Sequence, residues 1–247
     1  MILLKMFSCK WLPITILILI AAIVCGRLGI WQLNRLAERR VFNSHVHDMQ
    51  AMQPLNLPAH VDLTTMEYRA VRLSGTYDFT NQVAIRDQFY NNQLGYHLLT
   101  PLNLVNARVI LIDRGWIPSS GNLTPSDWRK YDQPGVAPLD GVIRLSQTTT
   151  SFGSVSDPTL TPDQTRLDFW VYVNLDRIGK QMPYPILPVY VQLDPDPNRT
   201  EPPIPYQPEL DLSEGPHQSY AIQWFSFGTL FLVGYPFYVR RQENRKS

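Results

Sequence analysis

Ser219 to Val239 reads SYAIQWFSFGTLFLVGYPFYV. The run carries no charge and is rich in aromatic residues. It ends against Arg240, Arg241, Arg245 and Lys246, and Glu209, Asp211 and Glu214 precede it. As a helix it is about 30 Å long, enough to cross a bilayer. Lys and Arg concentrate on the cytoplasmic side of membrane spans, so the basic tail is expected in the cytoplasm.

A second apolar run lies near the other end, from Trp11 to Trp31. Its core, Leu12 to Cys25, is Leu, Ile, Ala and Val apart from Pro13 and Thr15. Trp11 and Trp31 stand where interfacial aromatics belong. Arg27, near the outer end, can snorkel to the headgroups. Lys5 and Lys10 also fit the positive region of a cleaved signal peptide. The apolar stretch is long for one, however, and Ala22-Ile23-Val24 before Cys25 offers neither a small-x-small cleavage site nor a good lipoprotein site. The run is read as an uncleaved span. Its flanking charges nearly balance, Lys5 and Lys10 against Arg35, Arg39 and Arg40, so the second run sets the orientation. Both termini are expected in the cytoplasm, with residues 42–215 outside.

The expected class is therefore a membrane protein of α+β type. Two transmembrane helices, N- and C-terminal, flank a β-rich extracytoplasmic domain. The expected segments are a cytoplasmic N-terminus at 1–10, a first span at 11–31, a helical or irregular lead-in at 32–67, and the β-rich domain at 68–193. A proline-rich connector at 194–218, a second span at 219–239 and a basic tail at 240–247 complete the chain.

Composition agrees. The 247 residues suit one domain plus two spans, and a net charge of +1 argues against nucleic acid as a partner. With 21 prolines against 13 glycines, long helices in the middle are disfavoured. The two cysteines, Cys9 and Cys25, lie in or beside the first apolar run. The domain therefore has no disulfide framework and no zinc-binding cysteines, and must be stable through its core.

From Tyr68 onward, short β-type runs alternate with Gly, Pro, Asn and Asp. Strands are expected at Arg69–Tyr77, Gln82–Gln88, Tyr96–Leu104, Arg108–Asp113, Val136–Ser146, Phe169–Asn174 and Pro188–Leu193. Arg108–Asp113 reads as a buried central strand ending in a turn over Arg114-Gly115-Trp116-Ile117-Pro118. A short helix fits Asp176–Gln181. Asp194–Pro216 carries seven prolines and reads as an extended connector.

The chain shows none of the common catalytic motifs: no Gly-x-Ser-x-Gly elbow, no His-Glu-x-x-His, no phosphate-binding glycine loop. Only Lys130 and Lys180 are available outside the spans for a Ser/Lys dyad. The expectation is that the protein is not an enzyme.

There are five histidines, His45, His47, His60, His97 and His217. The His45-x-His47 pair lacks an obvious completing ligand and reads as solvated. His97, at the start of an apolar strand, reads as structural. His217 stands at the outer mouth of the second span, where an ionisable group needs solvation, a partner or a ligand. At helical spacing Tyr220, Trp224, Gly228, Phe231 and Tyr235 form a stripe below it. An imidazole above aromatic surface fits a porphyrin with axial imidazole. The same stripe also fits simple packing on the first helix, which the pattern alone favours. On the first helix, Gly26 and Gly29 share a face with Leu33, and Gln32 lies at its edge. Pairing of the two helices would bring Gln32 and Arg35 to the level of His217.

Four segments carry a family likeness: Gly29-Ile-Trp31-Gln32-Leu-Asn-Arg35, Gly95-Tyr96-His97-Leu-Leu-Thr100-Pro101-Leu102, Ile110-Leu-Ile-Asp113-Arg114-Gly115-Trp116-Ile-Pro118, and His217-Gln-Ser-Tyr220-Ala221-Ile-Gln223-Trp224-Phe225. In this order, framed by two apolar runs, they resemble the Surfeit locus protein 1 family of cytochrome c oxidase assembly factors, in a bacterial-type member of the inner membrane with a periplasmic domain. The resemblance implies binding of haem a and help in delivering it to a haem-copper oxidase. The implied partners are the oxidase catalytic subunit, the haem a synthesis machinery and the lipid bilayer. It also implies His217 as the iron ligand, with Tyr220 and Trp224 beside the haem. The family's asparagine shortly before that histidine is replaced here by Glu214-Gly215-Pro216. Gln32 and Arg35 are candidate haem neighbours, and Arg35 and Arg114 candidate propionate partners. A scaffold that docks on oxidase subunits without haem is the alternative. A membrane-anchored hydrolase is a third reading that no residue marks.

Overall fold

The computed structural model describes residues 6–57, 61–105, 107–147, 157 and 166–245. They divide between two compact units, one taken from the chain up to His45 and from Leu210 onward, the other from Val46–Glu209.

The first unit is helical. Helix α1 spans Leu12–Ala51 and helix α3, the last element, spans His217–Asn244. The 40 residues of α1 rise about 60 Å. Its apolar N-terminal part is long and apolar enough to cross a membrane, and among the described residues it is the one helix that is. The helix continues without a break past Trp31 because Gln32–Arg40 is rich in Leu, Ala, Glu and Arg, all good helix formers. Helix α3 mixes Tyr, Trp, Ser, Thr, Gly and Pro236 into its apolar residues, which lowers its mean hydropathy.

The two helices touch along an antiparallel line. The Trp11 indole donates to Glu243 Oε1 at 3.0 Å, and Thr15 Oγ1 lies 2.8 Å from Tyr235 Oη. Gly228 faces Cys25 and Ala22, and the Phe225 ring fills the space beside Gly29, where a Cβ would come within 2.7 Å. Small residues thus sit where the helices meet. The chain leading into α3 is tied to α1 by polar side chains. Arg39 donates to the carbonyls of Asp211 and Ser213, Asn43 donates to that of Leu212, and Arg40 makes two bonds to the Glu214 carboxylate.

The second unit is β-rich, with strands β1 Leu55–Asn56, β2 Ala70–Tyr77, β3 Val83–Tyr90, β4 Gln93–Leu104, β5 Val109–Pro118, β6 Val136–Leu145, β7 Phe169–Trp170 and β8 Ile186–Leu193. Helix α2, Leu175–Lys180, precedes β8 and is capped by the Asn174 side chain. The sheet order is β1-β2-β6-β8-β5-β4-β3-β7, and a further β2–β4 pairing closes β2, β6, β8, β5 and β4 into a ring. Only β5–β8 runs parallel within that ring. In chain order the ring strands form a meander, after which the fourth returns beside the first, so this is a five-stranded Greek-key barrel, the plan of OB-folds.

The barrel interior holds Val71, Leu73, Leu102, Leu104, Ile110, Ile112, Ile143, Val189 and Val191. Strand residues alternate between faces. The opposite parity, Leu99, Leu111 and Tyr190, therefore faces outward, where Trp170, Val173, Leu175 and Ile178 cover it in a second core. Residues 113, 97 and 192 continue that outer face.

The strands follow the alternation read from the sequence over most of the unit, but the strand expected at Phe169–Asn174 is only Phe169–Trp170, because Asn174 caps the next helix, and Leu55–Asn56 adds a short strand that was not expected. Two further differences lie in β3–β5. β3 and β4 extend to meet in a two-residue turn, Asn91-Asn92, both at positive φ (47° and 61°). Asparagine tolerates that region, and two such residues in succession match the twist of a hairpin. Arg114–Pro118 is not a turn but the second half of β5. Gly115, at φ 112°, sits where the β4–β5 register shifts between His97 and Leu99. A Cβ there would come within 2.1 Å of the Ile204 carbonyl oxygen, so only glycine lets the connector approach. Trp116 and Ile204 exchange two backbone hydrogen bonds at this point.

Candidate functional site

His217 is the first residue of α3, directly after Pro216 at the N-cap. Gly215 turns the chain at φ 68°, and a Cβ on it would lie 3.4–3.5 Å from the Cδ2 and Nε2 edge of the imidazole. The glycine keeps that edge open. On the other edge, Nδ1 lies 2.8 Å from Oε1 of Gln32 on α1. An amide oxygen only accepts, so Nδ1 donates, and in the neutral ring Nε2 is then the nitrogen whose lone pair could bind a metal. Metal-binding histidines are commonly oriented by such an acceptor on the second nitrogen. Gln32 is buried at the helix contact.

The other candidates fall differently. Arg35, one turn beyond Gln32, bonds Glu38 at 2.9 Å and lies over the Trp31 ring. Tyr220 is 46% exposed, and Trp224 is half-buried with its ring 6.2 Å from Phe227. Gly228 and Tyr235 of the aromatic stripe pack on α1, as the packing reading anticipates, while Tyr220 points away from the buried Ala221 side. Arg114 is 2% exposed inside the β-rich unit, stacked on Tyr77 and Phe79 and donating to the Tyr131 carbonyl. It is a plug of that core and has no free face for a propionate. His45 and His47, two residues apart on α1, point to different sides of the helix and do not form a chelating pair. No cluster of three or more metal-ligating residues occurs among the described residues. His60 lies outside them.

His97 holds more than the sequence showed. Its Nδ1 lies 2.9 and 3.1 Å from the two carboxylate oxygens of Asp113, and both side chains are buried. Asp113 also accepts from the Gly115 amide and from Gln192 Nε2. Burial pulls the His97 imidazole down. The charge and hydrogen bond of Asp113 outweigh it and hold the imidazole above its ordinary value. The two residues lie 16 positions apart and meet only through the β4–β5 register, which sequence reading did not resolve.

A sequence model of the SURF1 family matches residues 19–229. The chain belongs to the SURF1 family. A SURF1-like protein of Rickettsia bellii (strain RML369-C) is 25% identical over 232 residues, covering 92% of this chain and 91% of that one. The SURF1-like protein of Monosiga brevicollis is 25% identical over 241 residues, covering 91% and 87%. Surfeit locus protein 1 of Rattus norvegicus is 26% identical over 216 residues, covering 80% of this chain and 66% of that protein. The SURF1 match includes both ends of the His217–Gln32 bond and both partners of the His97–Asp113 pair.

Proposed function

We propose that this SURF1-family protein is a non-enzymatic assembly factor for a haem-copper oxidase. In this reading it binds haem a through His217 and assists its delivery to the oxidase catalytic subunit. One observation carries the ligand assignment: Gln32 takes the Nδ1 proton of His217, and Gly215 leaves the Nε2 edge open. When bound, the haem would supply a Lewis-acidic iron that a neutral imidazole such as that of His217 could hold. His217 would hold the iron and Gln32 would fix the ring, and the exposed Tyr220 and half-buried Trp224 lie on the same first turns of α3. Arg35 stands one turn from Gln32 as a cation for a propionate.

The same reading makes α3 a second span. Its antiparallel contacts with α1 and the basic residues after Val239 support it, and in this reading both termini are cytoplasmic, in a bacterial inner membrane with a periplasmic β-rich domain. The test is an absorption spectrum of protein purified from cells that make haem a. A haem spectrum in the wild type that disappears in an inserted, folded His217→Ala variant is expected. Undiminished haem in that variant overturns the ligand assignment. Co-purification with the oxidase irrespective of haem supply, with no spectrum of its own, favours the haem-free scaffold.

A further inference from the structure

The outward face of β5 and β8 ends in a half-enclosed cavity of about 390 Å³, within the size range of small-molecule sites. Its lining is sorted by chemistry. Phe89, Val171 and Val173 supply apolar wall, and His97, Arg144 and Tyr190 supply polar groups. His97 is 6% exposed and Tyr190 5%. Among the described residues His97 Nε2 has no hydrogen-bond partner, and neither has the Tyr190 hydroxyl. Both atoms keep solvent access, whereas Arg144 Nε is buried without a hydrogen-bond partner, and burying such a donor is costly unless something accepts from it.

The single carboxylate of the lining, Asp113, is already committed. His97 takes both oxygens, and the Gly115 amide and Gln192 donate to the remaining positions. What the cavity still offers is donors. Arg144 brings a permanent cation, half-buried and steered by Glu67 at 3.4 Å from outside the lining. His97 and Arg144 each pair with one carboxylate, Asp113 and Glu67, and the donors left over are His97 Nε2, the Tyr190 hydroxyl and Arg144 Nε.

We propose that this cavity is a binding site for a small organic carboxylate with an apolar body. Tyr190 and His97 donate to the carboxylate, Arg144 supplies the counter-charge, and Phe89, Val171 and Val173 hold the body. The site is built from residues of the β-rich unit alone and does not depend on haem binding.

The test uses the full-length protein in detergent micelles, with benzoate as probe and benzamide as its uncharged counterpart, followed by titration calorimetry and ligand-observed NMR. Saturable binding of benzoate, at least about tenfold tighter than benzamide, is expected. Tyr190→Phe removes one hydroxyl and keeps the ring, so the fold is retained, and it should weaken benzoate about tenfold, the loss for one charge-assisted hydrogen bond. Arg144→Gln should abolish the preference for benzoate over benzamide. Failure of benzoate to bind in the millimolar range overturns the proposal. So does equal binding of benzamide, or benzoate binding unchanged in Tyr190→Phe. Haem content of Tyr190→Phe, unchanged from wild type, separates this site from the His217 reading.

Discussion

Oε1 of Gln32 and Nδ1 of His217 lie 2.8 Å apart, joining residues 185 positions apart in the chain. The bond ties the start of α3 to the middle of α1 and fixes which imidazole nitrogen is free. Replacing Gln32 by Leu removes the acceptor while keeping much of the volume. On the haem-binding proposal, haem affinity in Gln32→Leu should fall by about 10- to 100-fold, the usual effect of losing the group that orients a metal-binding histidine. Gln32→Glu should retain binding. Haem retention during washing, read from the absorption spectrum, distinguishes them, and equal retention in all three proteins contradicts the orienting role.

At the other end of the helix pair, Tyr235 Oη contacts Thr15 Oγ1 at 2.8 Å and the Trp11 carbonyl at 3.3 Å. On the two-span proposal the pair lies in the bilayer, where hydrogen bonds between helices contribute about 0.6 kcal/mol on average. Tyr235→Phe should therefore loosen the pair only slightly, by roughly 0.5–1 kcal/mol. Reversible unfolding in mixed micelles would measure it. A loss above about 2 kcal/mol would show the hydroxyl to be more than a local tie.

Gly115 combines φ 112° with the close approach of the Ile204 carbonyl. Gly115→Ala adds strain of about 1–3 kcal/mol and a backbone clash that no side-chain movement relieves. The Trp116–Ile204 bridge should open, and protease sensitivity near Ile204 should rise. Gly121 also has positive φ (71°) but open space beside it, so Gly121→Ala should show the strain without the opening. Equal cleavage of the two variants would argue against the close approach.

The raised value of the buried His97 imidazole makes stability depend on pH in a defined direction. Its charged form is favoured in the folded state, so its contribution is fully present below the ordinary histidine value, about 6.5, and fades as pH rises through the folded value. Thermal stability of the wild type should decline more steeply than that of His97→Gln between about pH 6 and about pH 8. Parallel curves would count against the ion pair.

Much of this was legible in the sequence for physical reasons. The strands show period-two patterning with β-branched residues, and the helical spacing of Gly29 and Gln32 let the Gln32–His217 contact be anticipated, whereas Gly26, expected on the same face, meets nothing within 4 Å and Cys25 stands at the contact instead. Arg114–Pro118 misled because Gly115 and Pro118 carry turn chemistry, while here the glycine makes a bulge within a strand. Closure of β2 on β4 and the meeting of His97 with Asp113 depend on long-range register. Local propensity contains no information on that. The fate of Arg114 was hidden for a related reason: an arginine reads as surface unless its aromatic partners, Tyr77 and Phe79, are known to stack on it.

The sheet of the β-rich unit ends, among the described residues, in two strands of only two residues each, β1 on one side and β7 on the other. Exposed strand edges are templates for adding a foreign strand, and short ones give little to pair with. At β1 and β7 themselves strand addition finds little backbone to pair with, so recognition at those two edges falls to side chains.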